Sequence, residues 1–147
     1  MAPPETPPQG SRAQAQTIMS EDPGDRKSEE EWGYSDAIRI GDTVHVSGVV
    51  AGLRKGEKDL EPAYGRAFDE IGGRLARLGC SWGDVVDILS FHTDVVTQLR
   101  AMVAVKKRYI GPPYPAWTAI GVSRLIPGSG LTEIRVTAVC AAKQRTR

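Results

Sequence analysis

The chain is poor in the residues that build metal centres, having two cysteines and two histidines in 147 residues. Without a CxxC pair, or histidines at zinc-ligand spacing, no metal site and no disulfide framework are indicated; Cys80 and Cys140 are expected as reduced, buried thiols. Charge imbalance is missing too, since 19 basic and 18 acidic side chains leave a formal charge of +1. That balance supplies no concentrated positive field, so neither nucleic acid nor anionic lipid is an expected partner. No apolar run reaches the roughly 18 residues of a membrane span. The N-terminus lacks the basic-then-apolar order of a secretory leader, and a cytoplasmic location is the expectation. Neither a P-loop nor a Rossmann fingerprint is present: Gly72-Gly73 falls within a helical pattern and does not follow a strand.

What remains has the balance of one globular domain, with 40% apolar and 25% charged residues. Residues 1–31 hold five of the ten prolines and little aliphatic content. So little apolar area does not offset ordering entropy, and a disordered tail is expected there. Residues 32–142 form the expected domain, followed by a flexible basic tail over 143–147 with Lys143, Arg145 and Arg147.

Two β-like runs, Ala37–Ile40 and Thr43–Ser47, flank Gly41-Asp42, a hairpin signal. Tyr64, Ala67, Phe68, Ile71, Leu75 and Leu78 recur at steps of three and four, predicting a helix that stops at Gly79. The run from Val85 to Thr93 reads as a central strand. A second helix is predicted over Val95–Ile110, with Val96, Leu99, Met102, Val103, Tyr109 and Ile110 inward, broken by the prolines at 112, 113 and 115. Strands over Ala116–Leu125 and Leu131–Ala141 complete a β-β-α-β-α-β-β order. This is an α+β fold in which two helices cover one face of a mixed sheet. The other face carries apolar residues of the last strand, which predicts self-association through it.

His45 and His92 sit in strand patterns and read as structural. Four features stand out instead: Tyr34, Ser47-Gly48, Trp117-Thr118-Ala119 and Glu133. The stretches YSDAIRIGDTVHVSG, LARLGCSWGDVVDILSFHTDV, PAWTAIGVSRL and LTEIRVTAV, in that order from Tyr34 to Ala141, resemble the Rid family of YjgF-like reactive intermediate deaminases, also labelled endoribonuclease L-PSP. The resemblance implies a chorismate-mutase-like fold and a homotrimer with three pockets between subunits. It also implies cofactor-free hydrolysis of short-lived enamines and imines to keto acids and ammonia. Glu133 then matches the glutamate that positions or activates water, and Tyr34 the pocket tyrosine near the imine. Ser47 and Gly48 match the pocket floor, while Thr118, the amide of Ala119 and the ring of Phe91 complete the substrate-binding set.

One departure alters the chemistry. Trp117 stands where the family's P-A-R-(S/T) motif has the arginine that forks onto a substrate carboxylate. Charge-assisted hydrogen bonds contribute about 1.5–3 kcal/mol, so losing the fork weakens carboxylate binding by roughly two orders of magnitude. An indole offers one N–H donor and a broad apolar face. The ligand implied is flatter and less charged, aromatic or without a carboxylate. Three other readings stay open: Trp117 fills the cavity and leaves no working site, the chain is a noncatalytic binding or regulatory protein whose Trp117 pocket senses a ligand, and Glu133 is an edge carboxylate paired with Arg135 or Arg124. Ribonuclease activity is disfavoured by the absence of a basic stripe.

Overall fold

The computed structural model describes residues 10–142. The chain runs through β1 (Gln16–Ile18), α1 (Pro23–Trp32), β2 (Ala37–Ile40), β3 (Thr43–Ala51) and α2 (Leu60–Arg77). It continues through β4 (Val85–His92), α3 (Val95–Tyr109), β5 (Ala116–Gly121) and β6 (Thr132–Val139). From β2 onward this is the expected order. The strands form one sheet, β1-β2-β3-β6-β4-β5, in which only β4 and β5 run parallel.

The helix α2 buries Tyr64, Phe68, Ile71 and Leu75, spaced by four, three and four residues, so one stripe faces the sheet. Opposite them lie Val44, Val46, Ile88, Ile134 and Val136, all essentially inaccessible. On the other side of the sheet Ile40, Ile120 and Val139 are each more than two-fifths exposed.

Three expectations are corrected. The tail expected over 1–31 is ordered from Ser11 onward: β1 pairs with β2, and α1 docks by Glu29, which is 2% exposed and accepts from the Ser20 amide at 2.9 Å. Local chemistry explains α1. The Asp22 carboxylate caps the amides of Gly24 and Asp25, Pro23 opens the helix, and Gly33 closes it at φ 76°, where a side chain would be strained. Residues 1–9 and the basic tail at 143–147 lie outside the described residues.

The inward stripe of α3 also differs. Val96 is 85% exposed, while Gln98, Met102 and Val105 face the core. Polar contacts account for the shift, because Gln98 donates to Thr93 Oγ1 at 2.9 Å and accepts from the Asp94 amide at 3.2 Å. Hydrophobic periodicity does not register that attraction.

Finally, Cys80 and Cys140 are joined in a disulfide, their Cα atoms 5.8 Å apart. Sixty residues separate them in sequence, and only the packing of β6 beside the end of α2 brings them together. Their sulfurs and the Asp84 carboxylate are the one cluster among the described residues close enough to hold a metal, but the sulfurs are bonded to each other.

Candidate functional site

The sheet contains a bulge between Val46 and Val49, where the pairing of β3 with β6 shifts register. Ser47 and Gly48 occupy it. A bulge bends its strand and re-aims side chains, and here it opens the sheet beside Glu133. A side chain at this point would displace the Glu133 carboxylate: a Cβ on Gly48 would stand 2.2 Å from Glu133 Oε1 and 2.7 Å from its Cδ. The carboxylate therefore lies directly across the bulge. Ser47 is held from both sides, donating its hydroxyl to Ser35 O at 2.7 Å and its amide to Asp36 O at 2.9 Å.

Tyr34 follows the left-handed end of α1 and joins Ser47, Gly48 and Glu133 around one cleft of about 750 Å³. Burial, and then the charges of Glu29 and Asp36, raise the Tyr34 pKa above its ordinary value of 10. Its phenol stays protonated near neutrality and can donate. The cleft also takes Ser28 and Trp32 from α1, and Arg124, Leu125 and Ile126 from the loop between β5 and β6. Sequence reading missed Ser28 and Trp32, although Asp22-Pro23 at the start and Gly33 at the end are the signature of a short capped helix. The pairing of Glu133 with Arg135 or Arg124 is not made: none of the three takes part in an ion pair among the described residues.

Phe91 is the direct cross-strand partner of Glu133 on β4, and Ile120 of β5 lies next to it in register. Thr118 and Ala119 are exposed on β5, which among the described residues pairs with β4 alone and so forms the edge of the sheet. The Val122 amide donates to His92 O at 2.8 Å. By the alternation of a parallel ladder, the amides of Trp117, Ala119 and Gly121 then point to the free edge. Within one protomer Trp117, Thr118 and Ala119 do not reach the Glu133 cleft, from which β4 separates them.

The Trp117 ring takes the helix-facing side of β5, in register with Ile88 and packed against the core. Its Nε1 donates to Ser90 Oγ at 2.8 Å, and Lys106 Nζ sits 4.7 Å from the ring centroid. Burial first, then the charge of Lys107, lowers the Lys106 pKa. Ser90 opens a chain of polar groups through the core. Ser90 Oγ lies 2.8 Å from His92 Nε2, His92 Nδ1 lies 3.1 Å from Thr132 Oγ1, and Thr132 donates to Gln98 Oε1 at 3.3 Å. Gln98 donates to Thr93, whose hydroxyl donates to Leu131 O at 2.9 Å. An indole only donates and a carbonyl only accepts. One direction alone satisfies every link, assigning the proton to Nδ1 of His92. Burial lowers the His92 pKa, in keeping with a neutral ring.

An antiparallel-rich sheet backed by helices, with a cleft at the β3–β6 bulge, defines an α+β protein. The family model described as Endoribonuclease L-PSP matches residues 26–140, and the chain belongs to that family, the Rid/YjgF group. RutC family protein YjgH of Escherichia coli K12 is 43% identical over 95 residues, covering 63% of this chain and 72% of that protein. The solved structure of protein YJGH superposes with TM-score 0.67 at 39% identity, covering 78% of this chain and 89% of that one. Rv2704 of Mycobacterium tuberculosis, described as a member of the YjgF/YER057c/UK114 family, gives TM-score 0.73 at 27% identity, covering 86% and 99%. The fold is the chorismate-mutase-like one that the motifs implied.

Proposed function

We propose that the chain acts as a homotrimer whose pockets, shared between subunits, hydrolyse a small imine- or enamine-type metabolite by adding water without a cofactor. The observation that carries this reading is the meeting of Tyr34, Ser47, Gly48 and Glu133 in one cleft. Water attacks the carbon of a protonated imine. The Glu133 carboxylate accepts a proton from that water as the C–O bond forms, and Tyr34 donates a hydrogen bond to the nitrogen or the developing oxygen. Glu133 returns that proton to the nitrogen, then takes the hydroxyl proton as the C–N bond breaks and the carbonyl forms; that proton passes to the departing ammonia, so a carbonyl compound and ammonium leave and the carboxylate is regenerated.

A second copy is part of the reading because Trp117-Thr118-Ala119 lies on an exposed edge strand with free amides. Such an edge needs cover, and a neighbour's cleft placed against it would unite both halves of the site. There Trp117 contributes an apolar flank: its only N–H is held by Ser90 and Lys106 occupies a ring face. Substrates are then not gripped through a charge at this position. The same committed N–H favours, as the second reading, a noncatalytic binding protein using the same cleft.

The test generates an imine in situ from an amino acid with an amino-acid oxidase and follows the release of keto acid and ammonia. Turnover above the spontaneous rate, falling about 10²-fold or more in Glu133→Gln, is the expected result. Binding without turnover would replace hydrolysis by the binding reading, and native mass spectrometry showing only monomer would remove the shared pocket.

A further inference from the structure

Two charged groups line the Glu133 cleft, and each is seated over a glycine. Glu133 lies across Gly48. Arg124 lies across Gly128, where a Cβ would stand 2.6 Å from Arg124 Nη2 and 3.0 Å from both Cζ and Nε. Arg124 forms no ion pair among the described residues. The guanidinium thus borders a cleft whose remaining walls include Trp32, Val50, Leu125 and Ile126. A free, planar, permanently charged fork beside apolar walls matches a carboxylate on an apolar body.

We infer that Arg124 is the anion-binding residue of this cleft, taking the carboxylate of a small apolar 2-imino or 2-oxo acid whose reacting carbon faces Glu133. Trp117 brings no charge to the site, and Arg124 supplies a guanidinium from the β5–β6 loop. Carboxylates are then admitted from the loop side of the cleft. This inference rests on the cleft being the small-molecule site proposed above.

Calorimetric titration with 4-methyl-2-oxopentanoate and its neutral amide, 4-methyl-2-oxopentanamide, tests it. The unsubstituted chain is expected to prefer the acid. Arg124→Gln is expected to weaken the acid about tenfold or more and leave the amide unchanged, since a charge-assisted hydrogen bond is at stake. Arg124→Lys should recover part of the loss. Gly128→Ala, which displaces the guanidinium, should weaken the acid in the same direction. Arg124 is exposed, so circular dichroism matching the unsubstituted chain is expected for its variants. Equal acid affinity in Arg124→Gln, equal affinity of acid and amide for the unsubstituted chain, or no acid binding at all would each overturn the inference. If the acid binds through Arg124 but no variant hydrolyses an imine, the hydrolytic reading falls and the anion site stands. If hydrolysis depends on Glu133 and is indifferent to Arg124, the reverse holds.

Discussion

The indole N–H of Trp117 is committed to Ser90, 2.8 Å away, and not to the cleft that holds Glu133. That bond starts the one-way chain through His92, Thr132, Gln98 and Thr93. Ser90 is fully buried. Replacing it with alanine removes the acceptor for Trp117 and the donor for His92, leaving two buried polar groups unpaired. Ser90→Ala is expected to lose about 1–3 kcal/mol of stability, read as a lower urea midpoint with an unchanged slope. An unchanged midpoint would show that the chain has no energetic weight.

Acidification should strain the same chain. Burial depresses the His92 pKa below 6.5, so between that value and the lower folded pKa the unfolded chain binds the extra proton and the native state does not. Stability then rises with pH across this window and is lost as pH falls through it; above about 7 the group has no further effect. Urea midpoints at pH 7.5 and pH 5.5 check this, with His92→Gln expected to flatten the difference. Glu57, whose pKa is held at about 2 by Arg66, titrates at lower pH, and Glu29, whose pKa burial raises, contributes with the opposite sign, so neither mimics it.

Placing arginine at position 117 should have two opposed effects. If a neighbour's cleft meets the β5 edge as proposed, Trp117→Arg provides a carboxylate fork there and is expected to raise turnover of carboxylated imines about tenfold or more. It also sets a cation near the Lys106 ammonium, which lies 4.7 Å from the present ring centroid. A destabilisation of about 1–3 kcal/mol follows, and adding Lys106→Met should relieve it. Turnover and thermal midpoints of the three proteins separate these effects. No change in turnover would detach position 117 from carboxylate recognition.

Opening the disulfide should lower stability. The bond spans 60 residues of sequence, a long loop, so Cys80→Ser with Cys140→Ser is expected to lose about 2–4 kcal/mol. Equal urea midpoints for the bonded and substituted proteins would contradict this.

The element order from β2 to β6 was legible because helix and strand periods are properties of consecutive residues, as the stripe Tyr64-Phe68-Ile71-Leu75 shows. Glu133, Tyr34, Ser47 and Gly48 were legible as motif positions, and three strands or loops do bring them to one cleft. Three features were not legible. α1 was hidden because its apolar content is low and its stability comes from the Asp22 cap and the contacts of Glu29. Gln98 displaced Val96 from the core through polar partners that no hydrophobic pattern encodes. The facing of Trp117 depended on the β4–β5 register, since a strand alternates sides and one residue of slip reverses them.

Composition and periodicity by themselves determined a single α+β domain, without a zinc-ligand pattern or a membrane-length apolar run, and the motifs named its family. Only the tertiary structure decided that Cys80 meets Cys140, that Trp117 donates inward to Ser90, and that Arg124 and Glu133 border the same cleft. These pairs lie far apart in sequence or depend on strand register, and local patterns carry no information about the partner that folding places beside a residue.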